Sequence, residues 1–335
     1  MLGSSRGRLG WALAAILLIT ACGGGTSTSG GATGTAGPAK TARIGSVDRP
    51  IIFAFTPSAD VARITASGNA IASALATATG LRWKVTVPTS YAAEIESVCA
   101  GQTDIATIAP LQMTLLLDKQ CGDPILSALR KDDTGKLSTT YQSQILVRAD
   151  SGITDLNGLK GKKFAFTDPI STSGYLFPTL LVKQKANQDP KTFFSSTVFA
   201  GGHDKAVLAL YRGEVDGAAS FIDARTLAGM PADIMAKTTR IATAGPIPND
   251  GIAIRKGFPA DLQAQVAKAL IDYCASDAGA VQCKSLFSWD GLQPVEKSFY
   301  DPVKDAAKIA GIDVATEAAK TPPPPKPTAS PTKAP

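Results

Sequence analysis

The chain has one histidine in 335 residues and lacks the motifs that most enzymes need. A single histidine, with no C-x-x-C spacing among the cysteines, argues against a zinc site. A Walker A motif is missing, because neither Gly135-Lys136 nor Gly161-Lys162 is followed by Ser or Thr. The only G-x-S-x-G pattern, the nucleophile elbow of serine hydrolases, lies at residues 3–7. We therefore expect no enzyme activity, no cofactor and no metal.

Concentrated positive charge is also missing. The net charge of +6 falls to +4 without Arg6 and Arg8, and three lysines lie on or beside a proline-rich tail at residues 320–335. The folded part should be close to neutral, which argues against a nucleic-acid partner. Seven prolines in residues 321–335 predict an extended, disordered tail.

The only long apolar run follows Arg6 and Arg8 at residues 11–19 and is too short to span a bilayer. It ends in Leu18-Ile19-Thr20-Ala21-Cys22, which resembles the lipobox of bacterial lipoproteins. The resemblance implies a signal peptide at 1–21, lipidation of Cys22 and anchoring outside the cytoplasm. An ordinary signal peptide with a coincidental cysteine is the alternative. The region 22–47, rich in small residues, should be a flexible tether.

Four cysteines remain once Cys22 is set aside, an even number that suits an exported protein. They are Cys99, Cys121, Cys274 and Cys283. Three pairings are possible. The pairs Cys99–Cys121 and Cys274–Cys283 are favoured because each closes a short loop.

Strand and helix patterns alternate from about residue 48 to residue 319. Apolar runs at 51–55, 83–87 and 105–108 alternate with helical spacing that ends near Gly80 and restarts near Tyr91. Further strand candidates are 144–147, 163–166, 197–199, 217–221 and 252–254. This alternation predicts an α/β fold of mainly parallel sheets flanked by helices. Ligands of such folds bind beyond the carboxyl ends of the strands.

The most informative stretch is a strand followed by Asp168-Pro169 and then by Ser171, Thr172, Ser173 and Gly174. The apolar residues beyond predict a helix that starts at these hydroxyls. A helix start carries unpaired N–H groups and a partial positive charge, so the hydroxyls and amides together could hold an oxyanion. A plain N-cap is the alternative, although a cap needs only one hydroxyl. The lone His203 begins the next candidate helix.

Five segments in this order resemble one protein family. They are Asp-Pro-x-Ser-Thr-Ser-Gly-Tyr-Leu-x-Pro at 168–178, Gly-Gly-His-Asp-Lys-Ala-Val at 201–207, Gly-Glu-Val-Asp-Gly-Ala-Ala at 213–219, Pro-Ile-Pro-Asn-Asp at 246–250 and Tyr-Asp-Pro-Val at 300–303. The chain resembles the phosphate, phosphite and phosphonate substrate-binding proteins of ABC importers, which are two-lobed type II periplasmic binding proteins. The resemblance covers residues 51–310 and implies a monomer that serves an ABC permease and its ATPase.

The resemblance implies a ligand held between two lobes joined by a two-segment hinge, and captured when the hinge closes. We expect the first lobe at 48–149 plus 246–319 and the second at 150–245, with crossings near 150–154 and 244–249. Gly152 and the prolines at 246 and 248 interrupt the periodic pattern there.

The resemblance also implies the residues of the site. Ser171, Thr172 and Ser173 would hold the oxyanion, with His203 and Asp223 from the same lobe. Tyr91 and Tyr141 would close over it from the other lobe. Asp223 could accept a hydrogen bond from a P–OH group, which would select protonated phosphorus oxyanions over sulfate.

Other interpretations of these residues stay open. His203 could be a helix-start residue satisfied by Asp204, Tyr91 a core aromatic, and Asp223 a helix cap. A hydrolase using Ser173, His203 and Asp223, a binder of another small anion, and a surface lipoprotein that signals or adheres are the rival functions. The residues that could face a substituent on phosphorus are Met113, Tyr175, Phe177 and Phe221.

Overall fold

The structure is a computed structural model that describes residues 42–132 and 134–320. Its strands are β1 (Ile51–Ala54), β2 (Trp83–Thr86), β3 (Ile105–Ile108), β4 (Gly122–Lys131), β5 (Leu137–Ser138), β6 (Thr140–Arg148), β7 (Lys163–Phe166), β8 (Ser196–Phe199), β9 (Gly217–Phe221), β10 (Thr238–Pro248), β11 (Gly251–Arg255) and β12 (Gly291–Pro294). Its α-helices are α1 (Val61–Thr79), α2 (Tyr91–Cys99), α3 (Pro110–Asp118), α4 (Phe177–Ala186), α5 (Pro190–Phe193), α6 (His203–Tyr211), α7 (Ile234–Lys237), α8 (Ala260–Ala275), α9 (Asp277–Phe287), α10 (Asp301–Ala310) and α11 (Val314–Ala319).

The strands form two sheets flanked by helices, which confirms the predicted two-lobed α/β fold. The first sheet has the order β12-β4-β11-β3-β1-β2, with β5 paired to β4. The second has the order β10-β6-β9-β7-β8. Helix α1 ends at Gly80, whose left-handed backbone closes the helix as its sequence predicted.

The expectation of mainly parallel sheets needs correction, because both sheets are mixed. Strand β1 is parallel to β2 and β3, and β7 is parallel to β8 and β9. The remaining pairings are antiparallel. The antiparallel pairings involve the strands next to the crossings between the lobes. Parallel strands need a crossover connection, and no helix precedes β6 or β11 to provide one.

The crossings between lobes lie at Thr139 and Asn249. Strand β5 pairs in the first sheet and β6, which begins at Thr140, pairs in the second. The chain returns between Pro248 and Gly251, and the two crossings are joined by a hydrogen bond from Asn249 N–H to the Thr139 carbonyl of 2.9 Å.

The predicted crossing at 150–154 is therefore wrong, and the second lobe extends over residues 140–248. Gly152, which suggested the first crossing, occupies a turn inside the second lobe, where it has a positive φ of 70°. The predicted return near 244–249 agrees with the structure. We call residues 140–248 the second lobe and the other described residues the first lobe.

The central strands of the second sheet are buried on both faces. Along β6, Ile145 and Val147 belong to one apolar cluster and Leu146 to another, and Phe164 and Ala165 of β7 alternate in the same way. Successive side chains of a strand point to opposite faces, so the sheet has a buried layer on each side. The cluster that contains Leu146 continues into the core of the first lobe.

Helix α10, the last helix but one, contacts both lobes. It packs against α3 of the first lobe and α4 of the second. The Lys183 ammonium of α4 donates to the Ala310 carbonyl at 2.6 Å, at the end of α10 where the carbonyls are otherwise unpaired. The far end of the fold is thus tied to the second lobe.

The four cysteines of the first lobe form the two pairs that the short loops favoured. The Cα atoms of Cys99 and Cys121 are 4.9 Å apart, and those of Cys274 and Cys283 are 5.9 Å apart. Cys22, the predicted signal peptide, most of the predicted tether and nearly all of the proline-rich tail lie outside the described residues. Within residues 42–132 and 134–320 we find no helix with the length and apolar character needed to cross a membrane.

Candidate functional site

A small cavity lies between the two lobes, which are closed on each other. The N–H of His203 in the second lobe donates to the Ser58 carbonyl of the first at 2.7 Å. The N–H of Leu111 in the first lobe donates to the Thr172 hydroxyl of the second at 2.8 Å. The cavity has a volume of about 40 Å³. That space suits a ligand of a few heavy atoms.

Six of the seven predicted ligand-binding residues line this cavity. They are Tyr91, Tyr141, Ser171, Thr172, Ser173 and His203. Asp223 is the seventh and does not line it.

The hydroxyl run forms the start of a helix, as its sequence predicted. Ser171 precedes a π-helical turn, Thr172–Leu176, that continues into α4. The Ser171 hydroxyl accepts from Gly174 N–H at 3.1 Å, so the N-cap interpretation is correct for this residue. Thr172 accepts from the opposite lobe. Because both hydroxyls act as acceptors there, each retains its own proton for donation to an oxyanion.

Gly174 lets the hydroxyl run approach strand β7. Its carbonyl accepts from Thr167 N–H at 3.1 Å. A Cβ atom on Gly174 would collide with the Thr167 side chain. Thr167 in turn contacts His203, so this glycine brings the two predicted anion-binding elements together.

His203 is the first residue of α6 and is buried. Its Nδ1 lies 2.9 Å from the Ser220 hydroxyl and 3.2 Å from the Thr167 hydroxyl. Burial, with a smaller effect from Arg130, lowers the pKa of His203 to about 3, so the ring is neutral. Two hydroxyls that can donate to Nδ1 favour the tautomer with its proton on Nε2. That leaves Nε2–H as a donor for the ligand.

The two tyrosines come from opposite lobes. Tyr91 is the first residue of α2, after the Ser90 cap, and belongs to the first lobe as predicted. Tyr141 lies on β6 and therefore belongs to the second lobe, not the first, because the chain crosses earlier than its sequence suggested. Burial raises the pKa of both hydroxyls above their ordinary value, so both remain protonated donors.

Asp223 lies away from the cavity, with 42% of its side chain exposed. It follows β9 at the start of a short 3₁₀ turn, Ala224–Thr226, and the ring of Phe221 faces the cavity in its place. The imagined triad of Ser173, His203 and Asp223 is therefore not formed, since Nδ1 of His203 contacts two hydroxyls and not a carboxylate.

Three charged residues of the cavity, Arg63, Arg130 and Asp250, were missed as site residues. Arg130 Nη2 donates to Asp250 Oδ2 at 2.7 Å, and Trp289 Nε1 donates to the same oxygen at 3.4 Å. Arg130 lies near the end of β4, a strand absent from the prediction. Asp250 closes the 246–250 motif, which was the only signal for it.

The rest of the first-lobe wall combines a second arginine with apolar side chains. Arg63 of α1 donates to the carbonyls of Ser285 and Leu286. Leu286, Phe287 and Trp289 line the cavity beside it. Of the four residues proposed to face a substituent, Phe221 lines the cavity, whereas Met113, Tyr175 and Phe177 do not.

A buried carboxyl lies beneath the first-lobe wall. Glu94 Oε2 accepts from the Thr56 hydroxyl at 2.8 Å and from the Gln112 amide at 3.1 Å. Burial raises the pKa of Glu94 to about 8, so this group is mostly neutral at neutral pH. It fixes Thr56, which lines the cavity. Within the described ranges, no cluster of three or more His, Cys, Asp or Glu could hold a metal ion.

Comparisons with known proteins agree on one family. The sequence profile described as "ABC transporter, phosphonate, periplasmic substrate-binding protein" matches residues 53–300. The phosphate-import protein PhnD of Mycolicibacterium smegmatis is 28% identical over 286 residues, which cover 78% of this chain and 86% of that protein.

Solved structures share the fold. A binding-protein component of an ABC phosphonate transporter from Pseudomonas aeruginosa has a TM-score of 0.71 at 21% identity, covering 78% of this chain and 86% of that one. PhnD1 of Prochlorococcus marinus, solved in complex with methylphosphonate, has a TM-score of 0.67 at 14% identity. The match covers 77% of this chain and 97% of that one. Both are type II periplasmic binding proteins, which confirms the predicted fold class.

Proposed function

Because the chain belongs to the family of periplasmic substrate-binding proteins of phosphonate ABC transporters, we propose that it captures a phosphonate, phosphite or phosphate ion by lobe closure. Members of this family are transport proteins outside the cytoplasm, not enzymes, and they act with a permease and an ATPase. The hydrolase alternative is therefore wrong. The particular ion, the residues that hold it and the lipid anchor are parts of the proposal.

The observation that carries the proposal is the convergence of uncharged donors on one closed cavity. Ser171, Thr172 and Ser173 come from one helix start and His203 from another. These neutral hydroxyl and imidazole donors can bind phosphoryl oxygens without each adding a full charge to the site. The helix starts add a partial positive charge.

The relatives support small ligands of this class. One is a phosphate-import protein and another was solved with methylphosphonate. A cavity volume of about 40 Å³ agrees with a small ion such as phosphate or methylphosphonate. A large organic substituent would not fit the closed form.

Capture would begin on the second lobe, which contributes most of the donors. Closure about Thr139 and Asn249 then brings Tyr91 over the ion and forms the bonds from His203 to Ser58 and from Leu111 to Thr172. These contacts exclude water and commit the ligand. The closed form is the state that would dock on the permease.

The test is isothermal titration calorimetry of the mature protein with phosphate, phosphite, methylphosphonate and sulfate. We expect tight binding of at least one phosphorus oxyanion and weak binding of sulfate. Ser173→Ala is the matched variant, and its affinity should fall. An absence of binding to all three phosphorus oxyanions would overturn the proposal.

Lipid anchoring through Cys22 needs its own test. The expressed full chain should fractionate with membranes and take up labelled fatty acid, and Cys22→Ser should remove the label. A labelled Cys22→Ser chain would show that another residue carries the lipid. An unlabelled wild-type chain would indicate an ordinary signal peptide.

A further inference from the structure

The Arg130 side chain is a buried cation with unused hydrogen-bond donors. Only 5% of the residue is exposed, and it lines the cavity. Its guanidinium carbon lies 4.6 Å from the ring centre of Tyr141 and 5.2 Å from that of Phe221. One of its nitrogens, Nη2, donates to Asp250, whereas Nε and Nη1 have no hydrogen-bond partner within residues 42–132 and 134–320. Buried donors without partners are costly, and a ligand oxygen would satisfy them.

One of the two carboxylates near Arg130 is already hydrogen-bonded to it. Asp250 Oδ2 accepts from Arg130 Nη2 and from Trp289 Nε1. Asp223 Oδ2 lies 3.9 Å from Arg130 Nη1, too far for a hydrogen bond but close enough for charge attraction. An ammonium group on a ligand would have to compete with the guanidinium for Asp250, the carboxylate that lines the cavity.

The charges on the cavity wall point the same way. Two arginines, Arg63 and Arg130, and one aspartate, Asp250, line it. Arg63 also has two buried nitrogens, Nε and Nη2, that find no hydrogen-bond partner in the described part of the chain. The wall therefore offers surplus positive charge and surplus donors, which favour an anion and oppose a second positive charge.

We infer that Arg130 determines the substrate class, admitting phosphorus oxyanions without a cationic substituent and excluding aminoalkylphosphonates. The inference rests on the proposed function. Nε and Nη1 take a ligand oxygen, which gives anions a pair of charge-assisted hydrogen bonds. The same guanidinium repels an ammonium in a water-poor site and occupies the carboxylate that an ammonium would need.

The first experiment compares two phosphonates of equal size. Ethylphosphonate and aminomethylphosphonate have the same number of heavy atoms and differ by a methyl group in place of an ammonium. Calorimetry of the wild-type protein should show ethylphosphonate binding about tenfold or more tightly. Equal affinities, with phosphate still bound, would overturn the role of Arg130 and leave the proposed function intact. No binding of any phosphorus oxyanion would instead contradict the proposed function.

The second experiment separates charge from hydrogen bonding. Arg130→Lys keeps the charge and loses the planar donors, so phosphate affinity should fall about tenfold while aminomethylphosphonate stays excluded. Arg130→Met loses both and frees Asp250, so phosphate affinity should fall further and the preference for ethylphosphonate should shrink about tenfold. If neither phosphonate fits the cavity, phosphate affinity alone decides, and an unchanged affinity in Arg130→Lys overturns the inference.

The control is Arg212→Met, which removes one positive charge from an arginine whose side chain is 62% exposed. It should leave every affinity within about twofold. Thermal unfolding without ligand checks that each variant folds. If Arg130→Met does not fold, Arg130→Lys with phosphate still decides the matter.

Discussion

The two lobes contribute different chemistry to the cavity. The second lobe supplies uncharged donors: the hydroxyls of residues 171–173 and the neutral ring of His203. The charged residues that line the cavity in the described chain, Arg63, Arg130 and Asp250, all belong to the first lobe. The second lobe is thus suited to hold any small oxyanion, and the first to discriminate among them by charge.

The largest expected effect concerns the pH dependence of stability. Each lobe buries a group that folding keeps neutral, an acid in the first lobe and a base in the second, so their contributions to stability change with pH in opposite directions. Glu94 of the first lobe has its pKa raised from 4.5 to about 8 by burial. Folding therefore retains a proton that the unfolded chain loses, and the contribution of Glu94 to stability falls as pH rises from 4.5 to about 8. The slope is about 1.4 kcal/mol per pH unit.

His203 of the second lobe behaves in the opposite way. Its pKa is lowered from 6.5 to about 3, mainly by burial, so the unfolded chain binds a proton that the folded chain does not. Its contribution to stability is complete above pH 6.5 and is lost as pH falls toward about 3.

Denaturant unfolding of ligand-free wild type, Glu94→Gln and His203→Gln across pH 4–8 measures both effects. Relative to wild type, the free energy of unfolding of Glu94→Gln should increase as pH rises. That of His203→Gln should increase relative to wild type as pH falls. Differences that do not change with pH would mean that folding leaves the pKa values of these groups unshifted.

The second prediction tests whether the second lobe depends on close approach at Gly174. Gly174→Ala forces a methyl group into the Thr167 side chain, which contacts His203. We expect a loss of about 3 kcal/mol in unfolding free energy, typical of overpacking, and weaker oxyanion binding. Gly291→Ala in the first lobe is the control, because its nearest neighbour atom would lie 3.6 Å away. Equal stability of the two variants would show that the turn at Gly174 relaxes easily.

The third prediction separates capping from binding within the hydroxyl run. Ser171→Ala removes the cap of Gly174 and should cost about 1 kcal/mol of stability as well as ligand affinity. Ser173→Ala should weaken binding by about 1–3 kcal/mol and cost less ligand-free stability than Ser171→Ala, because Ser171 and not Ser173 caps the helix start. Calorimetry and thermal unfolding of both variants make the comparison. Unchanged affinity in Ser173→Ala would mean that the hydroxyls of residues 171–173 only cap the helix and do not bind the ligand.

The smallest expected effect is that of Asp223→Asn. Its carboxylate is partly exposed and 3.9 Å from Arg130, so oxyanion affinity should change by less than about 0.5 kcal/mol. Asp250→Asn, which alters the carboxylate bonded to Arg130, should change affinity more. Sulfate competition with both variants is the measurement, and a large effect at Asp223 alone would restore the role that the sequence suggested for it.

The sequence located the hydroxyl run and His203 on the cavity wall, but it misplaced Tyr141 and Asp223 and missed the charged residues of the first lobe. Hydroxyls at a helix start form a local pattern, so Ser171, Thr172, Ser173 and His203 could be found from neighbouring residues. Arg130 and Asp250 meet because β4 and β11 are adjacent strands, although 120 residues separate them. Strand β4 escaped prediction, as did β10, whose sequence has Gly245, Pro246 and Pro248 and lacks clean alternation. Without those strands, neither the crossing at Thr139 nor the lobe of Tyr141 could be predicted.

In the proposed complex, the hydrogen bond between Leu111 and Thr172 would link ligand affinity to lobe closure. A single hydroxyl oxygen accepts from the first lobe, and in the proposed complex its proton would go to the ligand. Closure and binding would then share one side chain, so each should favour the other by the same factor. A permease that pulls the lobes apart would weaken ion binding by that factor. The free energy that opens the lobes would then also drive release of the ion.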